Sequence, residues 1–190
     1  MIGVATATSL QAAPTPRALV SAKHRENGVM VTRVATEQDL PAIKAIYDHQ
    51  VLTGISTFDT EAPPLEMWAE RLASAQAGDH VLVTESDGAV AGYAYSTTYR
   101  PRMAYARTRE TSVYLAPEKG GRGLGRALCD DLLGRFRADG MHVALAVIAL
   151  PNPASEALHR ACGFERVGVL PEVGRKFDRW IDTTFWALKL

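Results

Sequence analysis

"SVYLAPEKGGRGLGRALCDDLL", Ser112–Leu133, passes from an apolar run into a helix-period repeat, and four glycines lie between them among Lys119, Arg122 and Arg126. A strand that feeds a glycine loop opening a helix makes an anion site. The first N–H groups of such a helix have no partner within it, and its aligned peptide dipoles place partial positive charge there. Glycine lets an anion approach the backbone closely. The three cations add full charges, beside which the dipole alone is worth only ~0.3–1 kcal/mol.

Two common phosphate loops fail on named residues. The nucleoside triphosphate loop needs two glycines five apart followed by Lys and Ser or Thr; Gly120 and Gly125 keep the spacing, but Arg126 and Ala127 follow. The dinucleotide fingerprint needs a third glycine at its sixth position, and after Gly121 and Gly123 that position is Arg126, with no βαβ unit around it. A surface turn without a ligand is the plain alternative.

Outward from the loop, the apolar periodicity alternates between strands and helices. "VTRVAT" from Val31 reads as a strand, and "EQDLPAIKAIYDHQV" places Leu40, Ile43, Ile46, Tyr47 and Val51 on one helical face, capped by Thr36 or Asp39. A second helix follows Pro64 and stops by Gly78. "HVLVTES", the Asp87–Gly88 pair and "AVAGYAYSTTY" make a hairpin, because Asp-Gly supplies the positive φ angles of a tight reversal. "TRETSVYLA" leads into the glycine loop. After it come a helix from Leu124 to about Arg137, a strand "HVALAVIAL", a short helix over Ser155–Ala161 ended by Gly163, and strands near "FERVGVL" and "TTFWALKL". The result is an α/β chain, mainly sheet in its second half.

The 190 residues suit one domain, taken as 31–190. The first thirty, rich in Ala, Thr and Ser without a periodic apolar face, read as a disordered extension. Their low acidity also suits a transit peptide, although the amphipathic pattern is weak, and Met30 offers an alternative start. The 21 basic and 21 acidic residues cancel, which argues against nucleic acid or anionic membrane as partner. No segment reads as a membrane span. Cys129 and Cys162 are too few for a disulfide framework or a metal cluster; on apolar helical faces they read as inert packing in a reducing cytoplasm, with no metal expected.

The loop resembles that of the GCN5-related N-acetyltransferases, where Gln or Arg is followed at intervals by Gly and Gly or Ala. Gly123 and Gly125 match, and Gly120 stands where Gln or Arg is usual, so one side-chain contact to a diphosphate passes to Lys119 or Arg122. From Val31 to the C-terminus the chain is more specifically similar to the phosphinothricin and methionine sulfoximine acetyltransferase branch. The segments "STFDTE", "RMAYARTRETSVYLAP", "AVIALPNPAS", "LHRACGF" and the late "FW" carry that similarity in the branch's order.

That resemblance implies the GNAT fold: α/β (α+β), with a mixed, curved central sheet, flanking helices and two parallel strands that splay to admit the pantetheine arm of acetyl-CoA. It implies backbone contacts to acetyl-CoA from Val113, Tyr114 and Leu115, a diphosphate on Gly121, Arg122, Gly123, Leu124, Gly125 and Arg126, and a tie from Asn152. Glu110 falls at the branch's proposed catalytic carboxylate and His159 at its second proton-handling position. Read from composition alone, Glu110 is a solvated strand residue, His159 a structural histidine and Asn152 a turn residue. Arg102, Met103, Ala104 and Tyr105 match the branch's substrate residues, and Phe58 an apolar wall beside Thr60 and Glu61. The expected reaction is direct attack of a small L-amino acid on acetyl-CoA in a ternary complex, by a cytoplasmic homodimer. A peptide terminus or aminoglycoside as acceptor, and a non-catalytic acyl-CoA sensor, are the competing readings.

Overall fold

The computed structural model describes residues 21–24 and 29–190. The expected disordered extension falls mostly on residues outside that description. Within it, β1 (Ser21–His24) pairs antiparallel with β2 (Val29–Val34), so the boundary expected at Val31 lies inside a strand.

A 3-10 turn over Glu37–Asp39 leads into α1 (Leu40–Thr53). Both expected caps take part: the Thr36 N–H and hydroxyl donate to one Asp39 carboxylate oxygen at 2.7 and 2.9 Å, closing a capping box. Pro41 sits in the first turn, where its missing N–H costs nothing. Then come α2 (Leu65–Leu72), β3 (Val81–Ser86), β4 (Ala89–Thr98), β5 (Thr108–Leu115), α3 (Leu124–Ala138), β6 (Val143–Ala149), α4 (Pro153–Ala161), β7 (Glu165–Lys176) and β8 (Arg179–Lys189). Asp87 and Gly88 turn the β3–β4 hairpin with φ of 57° and 78°.

The strands form one eight-stranded sheet in the order β1-β2-β3-β4-β5-β6-β8-β7. Among the described strands, only the β5–β6 junction is parallel. Bulges at Thr84/Glu85 and at two places in β7 add twist and curvature. One apolar cluster packs α3 on the sheet through Leu128, Leu132, Phe136, Ala144, Ile148 and Trp186. The other packs α1 and α2 on the opposite face through Ile43, Val51, Trp68, Val83 and Tyr93. Fully burying such a side chain contributes about 1.5–3 kcal/mol.

Three boundaries differ from the sequence expectation. Helix α2 ends at Leu72, well before Gly78. Helix α4 starts at Pro153, because the Asn152 side chain accepts from the Ser155 N–H at 3.0 Å and caps it two residues early. The closing strands extend to twelve and eleven residues and meet at Phe177–Asp178, whose φ values of 50° and 57° make the tight turn that Asp-Gly makes elsewhere. The bulge between Leu170 and Gly174 accommodates Pro171 within the strand.

Candidate active site

The parallel pair β5–β6 holds for three rungs: Thr108↔Val143, Arg109↔Ala144 and Glu110↔Leu145. Beyond them β5 stays paired to β4 as far as Leu115, and β6 stays paired to β8 as far as Ala149, so each strand is held from outside while the inner edges part. The Thr111 hydroxyl donates to the Leu145 carbonyl at 3.0 Å and closes the fork with a side chain in place of a fourth rung. The expected splay is present, and the sequence reading had missed Thr111.

β5 delivers the chain into the glycine loop. Gly121 and Gly123 take φ of 75° and 82°, in the left-handed region that favours glycine. Gly123 is the N-cap of α3, and no side chain caps it or places acid in the first turn. The first helical bond there runs from the Ala127 N–H to the Gly123 carbonyl, leaving the preceding N–H groups for an anion. The cations divide differently from expectation. Lys119 pairs with Asp87 at 3.3 Å, and Arg126 pairs with Asp130 at 2.8 Å while donating to the Ala161 carbonyl. Arg126 therefore offers the loop its backbone, while Arg122 forms no salt bridge among the described residues.

Fork and loop enclose a cavity of about 530 Å³. Val113, Tyr114, Leu115, Gly121, Gly123, Leu124, Gly125, Arg126, Asn152 and His159 line it, with Gln50, Ser56 and the inner edge of β6 from Ala146 to Ala149, which the sequence reading had not assigned to it. Arg122 is not part of its wall, and neither are Glu110, Phe58 or residues 102–105. Gly125 lets α4 come close: a Cβ there would stand 3.2 Å from the Leu158 side chain.

His159, 4 % exposed, has its Nδ1 2.8 Å from the Ser155 carbonyl oxygen. A carbonyl only accepts, so this partner assigns the proton to Nδ1 and leaves a lone pair on Nε2. Nε2 is buried without a partner. Burial lowers the imidazole's pKa, against an opposing pull from the Ser155 carbonyl, so the ring is neutral at pH 7. A neutral, unpaired acceptor is thus buried on a residue that lines the cavity.

Glu110 lies on the last rung of the fork, on the face of β5 that also carries Ser112 and Tyr114. It is half-buried, and desolvation raises its pKa. Its neighbour Arg109, on the opposite face of β5, is 4 % exposed and forms an ion pair with Asp79 at 2.9 Å. On the Glu110 side an aromatic cluster packs: Tyr93, Tyr95 and Tyr114 stack, and Tyr47 and Trp68 meet them edge-on. Arg71 of α2 lies over the Tyr95 ring at 4.6 Å. Burial raises the Tyr95 pKa most, and the carboxylates of Glu110 and Asp59 add to it, placing both acids near one phenol.

The expected acceptor residues fall in two places. Arg102, Met103 and Ala104 are exposed on a 3-10 turn ahead of β5, and Tyr105 is half-buried edge-on against Tyr99 at 5.5 Å. Phe58, 38 % exposed, lies on the loop after α1. That loop is tied to α1 by Tyr47, whose hydroxyl donates to Asp59 at 2.7 Å and meets the Thr57 hydroxyl at 2.7 Å. Tyr114 of β5 holds it as well, donating to the Ser56 carbonyl at 3.2 Å. Thr60 and Glu61 are exposed. Among the described residues, no group of three or more His, Cys, Asp or Glu could hold a metal.

The sequence matches a family model described as an acetyltransferase (GNAT) domain over residues 32–185. It is 49 % identical over 154 residues to a phosphinothricin N-acetyltransferase of Alcaligenes faecalis, covering 80 % of this chain and 78 % of that protein. It is 42 % identical over 163 residues to an L-methionine sulfoximine/L-methionine sulfone acetyltransferase of Pseudomonas aeruginosa, covering 83 % and 93 %. The fold superimposes with a TM-score of 0.81 on a phosphinothricin acetyltransferase from Sinorhizobium meliloti solved with acetyl-CoA, at 40 % identity over 85 % of this chain and 88 % of that one.

Proposed function

The chain belongs to the GNAT acetyltransferase family and is an N-acetyltransferase, and from that premise we propose that it moves the acetyl group of acetyl-CoA to the α-amino group of a small L-amino acid or analogue. Acceptors of the methionine sulfoximine, methionine sulfone or phosphinothricin type are supported by the relatives' activities. The observation that carries the reading is the fork, which leaves two unpaired strand edges running into an uncapped helix start.

The residues present fit the donor. Open edges at Val113, Tyr114 and Leu115 suit an amide-bearing arm laid in as an added strand, and the loop N–H groups of residues 121–126 suit a diphosphate, with the Arg122 side chain free of any described salt bridge. Asn152 spends its side-chain oxygen on capping α4, so its contact to the donor would come from its amide NH2. His159, fixed through its Nδ1 by the Ser155 carbonyl beside the cavity, serves as the second proton-handling group or orients the donor. When bound, acetyl-CoA supplies an activated acyl thioester.

An α-amino group has a pKa of about 7.7–8.0 and is mostly protonated at neutral pH, so it needs a base before it can attack. Glu110, at the fork, takes that proton directly or through one water. Burial lifts its carboxyl toward the pH at which it works, which strengthens it as a base. Arg102, unpaired among the described acids, serves the acceptor carboxylate with Tyr105, while Met103, Ala104 and Phe58 give apolar contact. A strip of exposed apolar residues on β7, including Val167, Val169, Leu170 and Val173, supports a homodimer. The two free, buried cysteines suit the cytoplasm, and no described helix is long and apolar enough to cross a membrane.

Thiol release from acetyl-CoA, followed across a panel of amino acids, tests the reading. Turnover that depends on small L-amino acids is expected; saturable binding of acetyl-CoA without amine-dependent release would leave only a binding protein.

A further inference from the structure

Lys176, the last residue of β7, is buried to 4 % exposure beside the exposed Arg175, and among the described residues it forms no salt bridge. Its Nζ donates to the Thr57 carbonyl at 2.9 Å, reaching a residue 119 positions away. Two residues earlier on the same face of β7, Gly174 supports the neighbouring Phe58. A Cβ at 174 would lie 2.1 Å from Cε2 and 2.4 Å from Cζ of that ring. Gly174 lies outside the left-handed region, so its backbone tolerates alanine; what alanine displaces is the ring. One strand therefore holds the backbone of Thr57 and seats the side chain of Phe58. At the other side Tyr47 donates to Asp59, its oxygen receives the Thr57 hydroxyl proton, and the Thr57 oxygen accepts from the Asp59 N–H at 3.2 Å. The loop is clamped between α1 and β7 with Phe58 at the clamp.

We propose that Gly174 and Lys176 are positioning residues for acceptor recognition: they fix Phe58 on the bare face of β7 and so set the size of the acceptor pocket. The inference rests on the reading of Phe58 as the acceptor's apolar wall. Glycine at 174 keeps the ring retracted against the strand. A methyl group there, 2.1 Å from Cε2, drives the ring outward by more than an ångström, and a misplacement of about 1 Å can cost as much as about 10²-fold when a substrate must be aligned.

A double-mutant cycle tests this. Gly174→Ala is expected to raise the KM for methionine sulfone about 10-fold, to affect alanine as acceptor less, and to leave the acetyl-CoA KM and the melting temperature unchanged. In a Phe58→Ala background the same substitution has no ring to displace and its effect disappears. Lys176→Met, which keeps the stem and loses the donor, is expected to raise the acceptor KM in the same direction, with partial recovery in Lys176→Arg. An equal effect of Gly174→Ala with and without the Phe58 ring, or a loss falling equally on acetyl-CoA, overturns the proposal while leaving the wall reading in place. If Phe58→Ala itself leaves every acceptor KM unchanged, both fall.

Discussion

The cleft proposed for the donor and the loop proposed for the acceptor are built from different materials. The cleft is backbone: two strand edges, a helix start and glycines at φ of 75° and 82°. The loop carrying Phe58 is held by side chains from α1, β5 and β7. Backbone recognition is indifferent to most substitutions and acute at glycine. Side-chain recognition is the reverse, since each contact can be exchanged singly. A family built this way can keep one donor while its acceptors diverge.

The sharpest way to separate the two regions is Glu110→Gln, which touches neither the cleft wall nor the clamp. It is expected to lower kcat about 10²–10⁴-fold, with acetyl-CoA affinity measured by calorimetry unchanged; equal losses in both would erase the distinction. Gly123→Ala comes next, since it attacks the cleft where it is acute. Forcing alanine to φ of 82° costs about 1–2 kcal/mol and obstructs the loop, so acetyl-CoA affinity should fall about 10-fold while the acceptor KM holds.

The smallest expected effect is on stability. Burial holds the Glu110 carboxyl above its ordinary pKa, so the folded chain binds that proton more tightly than the unfolded one. The stabilisation is fully present below the unfolded pKa and is lost as pH rises through the folded pKa. Thermal melts of Glu110→Gln should match the parent in mild acid and exceed it by about 1–3 °C above neutrality. An advantage in acid that vanishes at high pH would contradict the assigned direction.

The cleft was legible in the sequence because its signals are local. Gly121, Gly123 and the strand before them lie within a dozen positions, and the need for positive φ is visible in the letters themselves. The fork was expected from the resemblance, but Thr111 was not singled out, since a threonine on a strand carries no mark of the carbonyl 34 positions away that it will reach. Charge misled at one place. The Arg126 side chain looked like a phosphate contact and turns instead to Asp130 and Ala161. The clamp was illegible altogether. Gly174 and Lys176 were not singled out, since nothing local in the sequence marks the Thr57 carbonyl 119 positions away that the lysine reaches.

The short β5–β6 junction has a mechanical consequence. Three rungs, the Thr111 bridge and the bonds from the His142 and Val143 N–H groups to the Arg107 carbonyl stitch β5 to β6 at one end of the seam, while the apolar layer under α3 spans both sides. On the proposed binding mode, a thioester carrier whose amides pair with the open edges would lengthen that seam, so loading would also tighten the sheet.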